Sequence, residues 1–132
     1  MRERFRLFVY GHLRRGQIGY DRLGLERRAA WLGEARIHGR LYDIGAYPGL
    51  ILGSADVVHG EVIGFDDTAL WDPIDAYEEC DSSQPETSEY RRVEVDLLGE
   101  DARAWVYVFN RPVEDLTLIA SGVWSAGRTA PG

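Results

Sequence analysis

Three carboxylates stand together at Asp75, Glu78 and Glu79, within Ile74-Asp75-Ala76-Tyr77-Glu78-Glu79-Cys80. Clustered like charges raise one another's carboxyl pKa, and the negative end of a helix dipole adds to the effect if a helix ends here. Glu78 lies four residues after Ile74 and next to Tyr77, which leans it towards an apolar side. A Glu with a raised pKa beside a pocket is suited to accept a proton and give it back. The bland alternative for such a cluster is a solvated acidic helix end. A second candidate is Phe8-Val9-Tyr10-Gly11-His12-Leu13-Arg14-Arg15-Gly16, where a strand-like run stops at a glycine and enters a basic loop. Glycine permits a positive φ or a close backbone approach, and the N–H groups after it can converge on an anion or a carbonyl oxygen.

Other chemistries fall away. Gly11 and Gly16 have the outer spacing of a P-loop, but Gln17-Ile18 follows and all 15 basic residues are Arg, so the phosphate-binding lysine is missing. The same lack removes Schiff-base chemistry. Neither a G-x-G-x-x-G nor a G-x-S-x-G motif occurs. His12, His38 and His59 have no metal-ligand spacing and one cysteine cannot build a thiolate site, so no metal is expected. His38 and His59 fall in strand-like runs and read as sheet residues. Cys80 sits among Glu78, Glu79 and Asp81, which push its thiol pKa up and disqualify it as a nucleophile.

These groups need a frame to hold them. A chain of 132 residues, 45% hydrophobic with four Trp and seven Tyr, suffices for one packed domain spanning 1–132. No apolar run approaches a membrane span and the start lacks a signal peptide, so a soluble cytoplasmic protein is expected. A net charge of −7 without an Arg block argues against nucleic acid as a partner. Strands are predicted at Phe5–Tyr10, Ala35–Asp43, Asp56–Phe65, Tyr90–Leu97 and Arg103–Phe109. A short strand at Gly49–Leu52 is expected to pair with Asp56–His59, and Gly99-Glu100-Asp101 to connect a hairpin. Helical spacing predicts Ile18–Trp31 and a segment from Asp67 to about Glu79. Pro73 divides or kinks the second, with Asp72 as N-cap. The polar run Asp81–Glu89 reads as a surface loop. After Asn110, Leu116, Leu118, Ile119 and Trp124 are expected to pack on the body, before a loose end at Ala126–Gly132. Many strands, few helices and short connections imply an α+β domain with a strongly curved sheet or small barrel.

Six short pieces then occur in one order along nearly the whole chain. They are Val9-Tyr10-Gly11-His12-Leu13-Arg14-Arg15-Gly16, Gly39-Arg40-Leu41-Tyr42-Asp43 with Tyr47-Pro48-Gly49, Val58-His59-Gly60-Glu61-Val62, Ile74-Asp75-Ala76-Tyr77-Glu78, Tyr90-Arg91-Arg92, and Ala104-Trp105-Val106-Tyr107. In this combination the sequence resembles the gamma-glutamylcyclotransferase-like family, including its gamma-glutamylamine cyclotransferase branch. The resemblance implies a small mixed β-barrel with flanking short helices and a cavity at one end. It maps the substrate-cradling loop onto Tyr10, Gly11, His12 and Leu13, and the catalytic acid/base onto Glu78; Glu79 does not match that position. Tyr47 and Tyr90 match recurrent positions near the cavity. The family usually carries Ser or Thr where this chain has His12.

The implied reaction is a cofactor-independent cyclisation of a small γ-glutamyl amine or peptide, giving 5-oxoproline and the released amine. Two alternatives remain open at this stage: a non-catalytic small-molecule binding module on the same fold, and hydrolysis of a γ-glutamyl amide. The leaving amine and the oligomeric state are left open by the sequence.

Overall fold

The computed structural model describes residues 3–80, 83, 84 and 86–125. In chain order the elements are β1 (Phe5–Val9), α1 (Ile18–Arg22), α2 (Leu25–Arg28), β2 (Ala30–His38), β3 (Arg40–Asp43), β4 (Pro48–Ile51) and β5 (Val57–Phe65). A 3-10 turn (Thr68–Leu70), α3 (Trp71–Tyr77), β6 (Tyr90–Asp96), β7 (Arg103–Phe109) and β8 (Thr117–Ile119) complete them. This is a mixed α+β fold with two sheets and few, short helices.

The first sheet has the order β2-β5-β1-β7-β6 and the second β4-β3-β8. Antiparallel pairing sets Phe5 against Phe65 and Val9 against Glu61, whereas β1 meets β7 in parallel at Leu7 and Trp105. Alternation along the strands sorts the core. Phe8, Tyr10, Ala104, Val106 and Val108 pack with Leu41 and Leu50 of the second sheet. Leu7, Val9, Tyr107 and Phe109 turn the other way, against Leu25, Leu70 and Ile74. The N–H of Leu98, in the turn after β6, donates to the Arg36 carbonyl of β2 at 2.9 Å, drawing together the two edges of the first sheet. The hydrogen-bonded ladders are nonetheless two sheets, not one closed ring.

Several expectations are corrected. The helix predicted over Ile18–Trp31 is two short pieces, because Gly24 adopts a left-handed φ of 64° between them, and Ala30 and Trp31 already belong to β2. The segment Gly49–Leu52 pairs with β3, Arg40 facing Ile51, rather than with Asp56–His59. The second helical segment is in two pieces, and its side-chain cap is Asp67, accepting from Ala69 N–H at 2.9 Å, not Asp72. Of the tail, Ile119 and Trp124 are buried, whereas Leu118 is exposed. The expected loose end at Ala126–Gly132 lies outside the described residues, as do Asp81, Ser82 and Pro85 in the polar loop.

Candidate functional site

The ends of four elements converge on one cavity: the C-terminus of β1, the start of β4, the C-terminus of α3 and the start of β6. It measures about 190 Å³ and is lined by Tyr10, Gly11, His12, Tyr47, Pro48, Tyr77, Glu78, Glu79 and Tyr90. Its volume is that of a small-molecule pocket rather than a surface groove. Of the site positions the resemblance maps, all but Leu13 line it; of the carboxylate cluster, Glu78 and Glu79 do and Asp75 does not. Leu13 is buried in the core with Leu7 and Tyr20.

Local sequence explains how Glu78 reaches the cavity. Helix α3 stops in a paired C-terminal motif, with Cys80 N–H donating to the Asp75 carbonyl at 2.9 Å and Glu79 N–H to Ala76 at 3.2 Å. That motif places its next-to-last residue in the left-handed region, usually as glycine. Here it is Glu79, at φ 51°. Glu78 is the residue before, at the helix C-cap, and no basic side chain occupies the last turn to offset its charge.

Burial, and then the neighbouring Asp75 carboxylate, raise the Glu78 pKa to about 8. Glu78 is therefore mostly protonated at neutral pH with a minor ionised fraction, and the residue is partly reached by solvent through the opening. Asp75 is itself tied down. Arg92 Nη1 lies 2.8 and 2.9 Å from its two carboxylate oxygens, and the Tyr107 hydroxyl donates to it at 2.5 Å. The Arg92 guanidinium in turn stacks 3.9 Å over the Trp71 ring. Strand β6 and strand β7 thus fix the turn from which Glu78 projects. Cys80 nearby has its thiol pushed up by burial and by Asp75, which agrees with its rejection as a nucleophile.

The loop after β1 is shaped by two tight turns, Arg14 N–H donating to the Gly11 carbonyl and Gln17 N–H to Arg14. Gly11 is needed for a close approach rather than for a positive φ: a Cβ there would sit 3.0 Å from Cδ of Pro48. Among the described residues no backbone hydrogen bond engages the N–H of Gly11, His12 or Leu13. The phenols behind the loop are satisfied by backbone. Tyr10 donates to the Tyr107 carbonyl at 2.6 Å and Tyr90 to the Pro48 carbonyl at 2.7 Å. Burial raises the pKa of both, so they remain neutral donors. Tyr47 lies beside Tyr90, ring centroids 6.3 Å apart.

Tyr77 and the buried Trp124 also belong to this neighbourhood, and sequence reasoning assigned them no role there. His12 Nδ1 is 3.2 Å from the Tyr77 hydroxyl, and its ring meets Trp124 edge-on at 4.9 Å. These contacts join positions far apart in the chain and leave no local signal. Among the described residues no group of three His, Cys, Asp or Glu side chains is placed to hold a metal. A larger, open groove of about 640 Å³ lies at Arg6 and Trp105, where Arg103 pairs with Asp96 and Glu94. It offers three arginines among five carboxylates.

Comparison with known proteins bears on this geometry. The family model described as gamma-glutamyl cyclotransferase, AIG2-like, matches residues 7–126. A Citrobacter rodentium relative named as a gamma-glutamylcyclotransferase family protein, ytfP, is 39% identical over 120 residues, covering 90% of this chain and 94% of its own length. The solution structure of ytfP from Escherichia coli superposes with a TM-score of 0.65 at 34% identity, covering 91% of this chain and 96% of that one. A mouse aig2-like crystal structure shares the fold, with a TM-score of 0.73 at 22% identity over 95% and 90% of the two chains. No helix among the described residues is long and apolar enough to cross a membrane. With a match over most of its length and relatives above 30% identity, the chain belongs to the gamma-glutamyl cyclotransferase, AIG2-like family.

Proposed function

We propose that the protein is a cofactor-independent enzyme that cyclises a small γ-glutamyl amine or peptide to 5-oxoproline, with Glu78 as the general acid/base. The observation that carries this reading is that Glu78, with its raised pKa, and the Gly11–His12 backbone line the same cavity.

In the reaction, ionised Glu78 takes a proton from the substrate α-ammonium. The freed amine attacks the γ-carbonyl carbon, forming the ring C–N bond. The carbonyl oxygen becomes an oxyanion, for which the backbone N–H groups of the cavity-lining Gly11 and His12 are candidate donors. Glu78 returns its proton to the departing nitrogen as the oxyanion re-forms the carbonyl and the old C–N bond breaks. A second proton passes from the ring nitrogen, which becomes the lactam N–H, to the released amine, which leaves as its ammonium, so water is neither consumed nor formed. The raised pKa of about 8 brings Glu78 towards the range of an ammonium, so proton transfer between the two is less uphill than for an ordinary carboxylate. A small cavity favours the folded conformer in which amine and carbonyl meet.

On this reading the side chains of Tyr10, His12, Tyr47 and Tyr90 wall the glutamyl pocket, whereas Leu13 contributes only backbone. The two sheets act as the wall of a small barrel, with the Leu98–Arg36 hydrogen bond drawing together the two edges of the first. Residues 1–132 function as one cytoplasmic domain.

The test is a panel of γ-glutamyl amines and dipeptides with product analysis. Release of 5-oxoproline, abolished in a folded Glu78→Gln variant, supports the proposal. Glutamate instead of 5-oxoproline indicates hydrolysis. Thermal stabilisation by ligands without turnover indicates a binding module.

A further inference from the structure

We propose that His12 is a positioning residue whose imidazole latches the loop after β1 to the last turn of α3. This rests on the reading of Glu78 as the reacting carboxyl. The latch is a hydrogen bond between Nδ1 and the Tyr77 hydroxyl, 3.2 Å apart, one residue before Glu78.

Burial lowers the His12 pKa, and the cations Arg14 and Arg22 lower it further, so the ring is neutral at pH 7. Its back is closed by Trp124, 2% exposed and edge-on at 4.9 Å. The backbone is held as well: Tyr20 N–H donates to the His12 carbonyl at 3.1 Å. Helix α1 packs tightly on both partners of the latch, since a Cβ on Gly19 would fall 2.9 Å from the His12 carbonyl oxygen and 2.9 Å from the Tyr77 ring.

Two walls of the cavity are thus joined through one ring: the loop after β1 and the turn before Glu78. A Ser or Thr at this position carries its hydroxyl directly on Cβ and lacks the reach and the ring face of the imidazole. The imidazole supplies a cross-connection that the shorter side chain cannot, and it keeps bulk water from the Glu78 side of the cavity.

The experiment follows the Glu78 carboxyl by carbon NMR titration in the intact protein, in Tyr77→Phe, in His12→Ser and in the double variant, with folding checked by circular dichroism. Wild type should titrate near 8. Each single variant should lower that midpoint by about one pH unit as water enters, and the double variant should fall no further than His12→Ser. Tyr77→Phe keeps the ring packing and removes only the hydroxyl, so it reads the latch even where His12→Ser unfolds. Unchanged midpoints in the folded single variants, or additive shifts in the double variant, overturn the latch. Absence of 5-oxoproline formation by wild type would remove the reaction assignment while leaving this titration fully informative.

Discussion

Replacing Glu78 by Gln should stabilise the protein, and increasingly so as the pH rises. The Glu78 pKa moves from an ordinary 4.5 to about 8 on folding, chiefly through burial. Below about 4.5 the carboxyl is protonated in both folded and unfolded chains, and Glu78 costs nothing on this account. Between 4.5 and 8 the unfolded chain releases its proton while the native state keeps it, so wild-type stability falls with rising pH. Above 8 the penalty is complete. Such a difference corresponds to a ceiling of about 5 kcal/mol. Water reaching Glu78 through the open cavity reduces the expected penalty to about 2–4 kcal/mol. Gln has nearly the same shape and no charge to bury. With a urea m-value of roughly 1–3 kcal/mol/M, the variant's midpoint should exceed wild type by about 1–2 M at pH 9 and match it near pH 4. Tyr10 and Tyr90 also have raised pKa values, but they are common to both proteins and largely cancel in the comparison. A midpoint difference independent of pH, or a wild type more stable than the variant at pH 9, would refute the reasoning.

Three further substitutions probe the supports of the site. Asp75→Asn removes the charge that helps raise Glu78, so the limb of kcat/KM that rises with pH should move to lower pH, read from a pH–rate profile. Arg92→Ala breaks a partly buried ion pair at 2.8 Å and the stacking over Trp71 at 3.9 Å. The expected loss is about 2–3 kcal/mol in chemical denaturation. Glu79→Gly relieves the left-handed φ of 51° and should add about 1 kcal/mol of stability by the same assay.

The central strands were legible because their apolar residues alternate and both core faces draw on that alternation. The N-terminal helix was overextended for an equally physical reason. Tyr20, Leu23, Ala30 and Trp31 mimic a helical face, but the left-handed turn at Gly24 separates them and the last two start a strand. Gly53-Ser54-Ala55 resembles a hairpin link, yet β4 finds its partner upstream in β3, a choice made by the second sheet rather than by the link. Strand β8 has three residues, too few to display a period. The glycine loop and Glu78 were readable because each sits in a contiguous run. The contacts of His12 with Tyr77 and Trp124, and of Asp75 with Arg92 and Tyr107, are created by folding, and nothing local in the sequence announces them.

The central claim is that one shielded carboxyl moves the proton in an intramolecular cyclisation. Its most direct test is quantification of 5-oxoproline released from γ-glutamyl amines and dipeptides by wild type and by Glu78→Gln at matched folding. The account predicts 5-oxoproline with wild type and none above background with the variant. An equally active Glu78→Gln protein would contradict it.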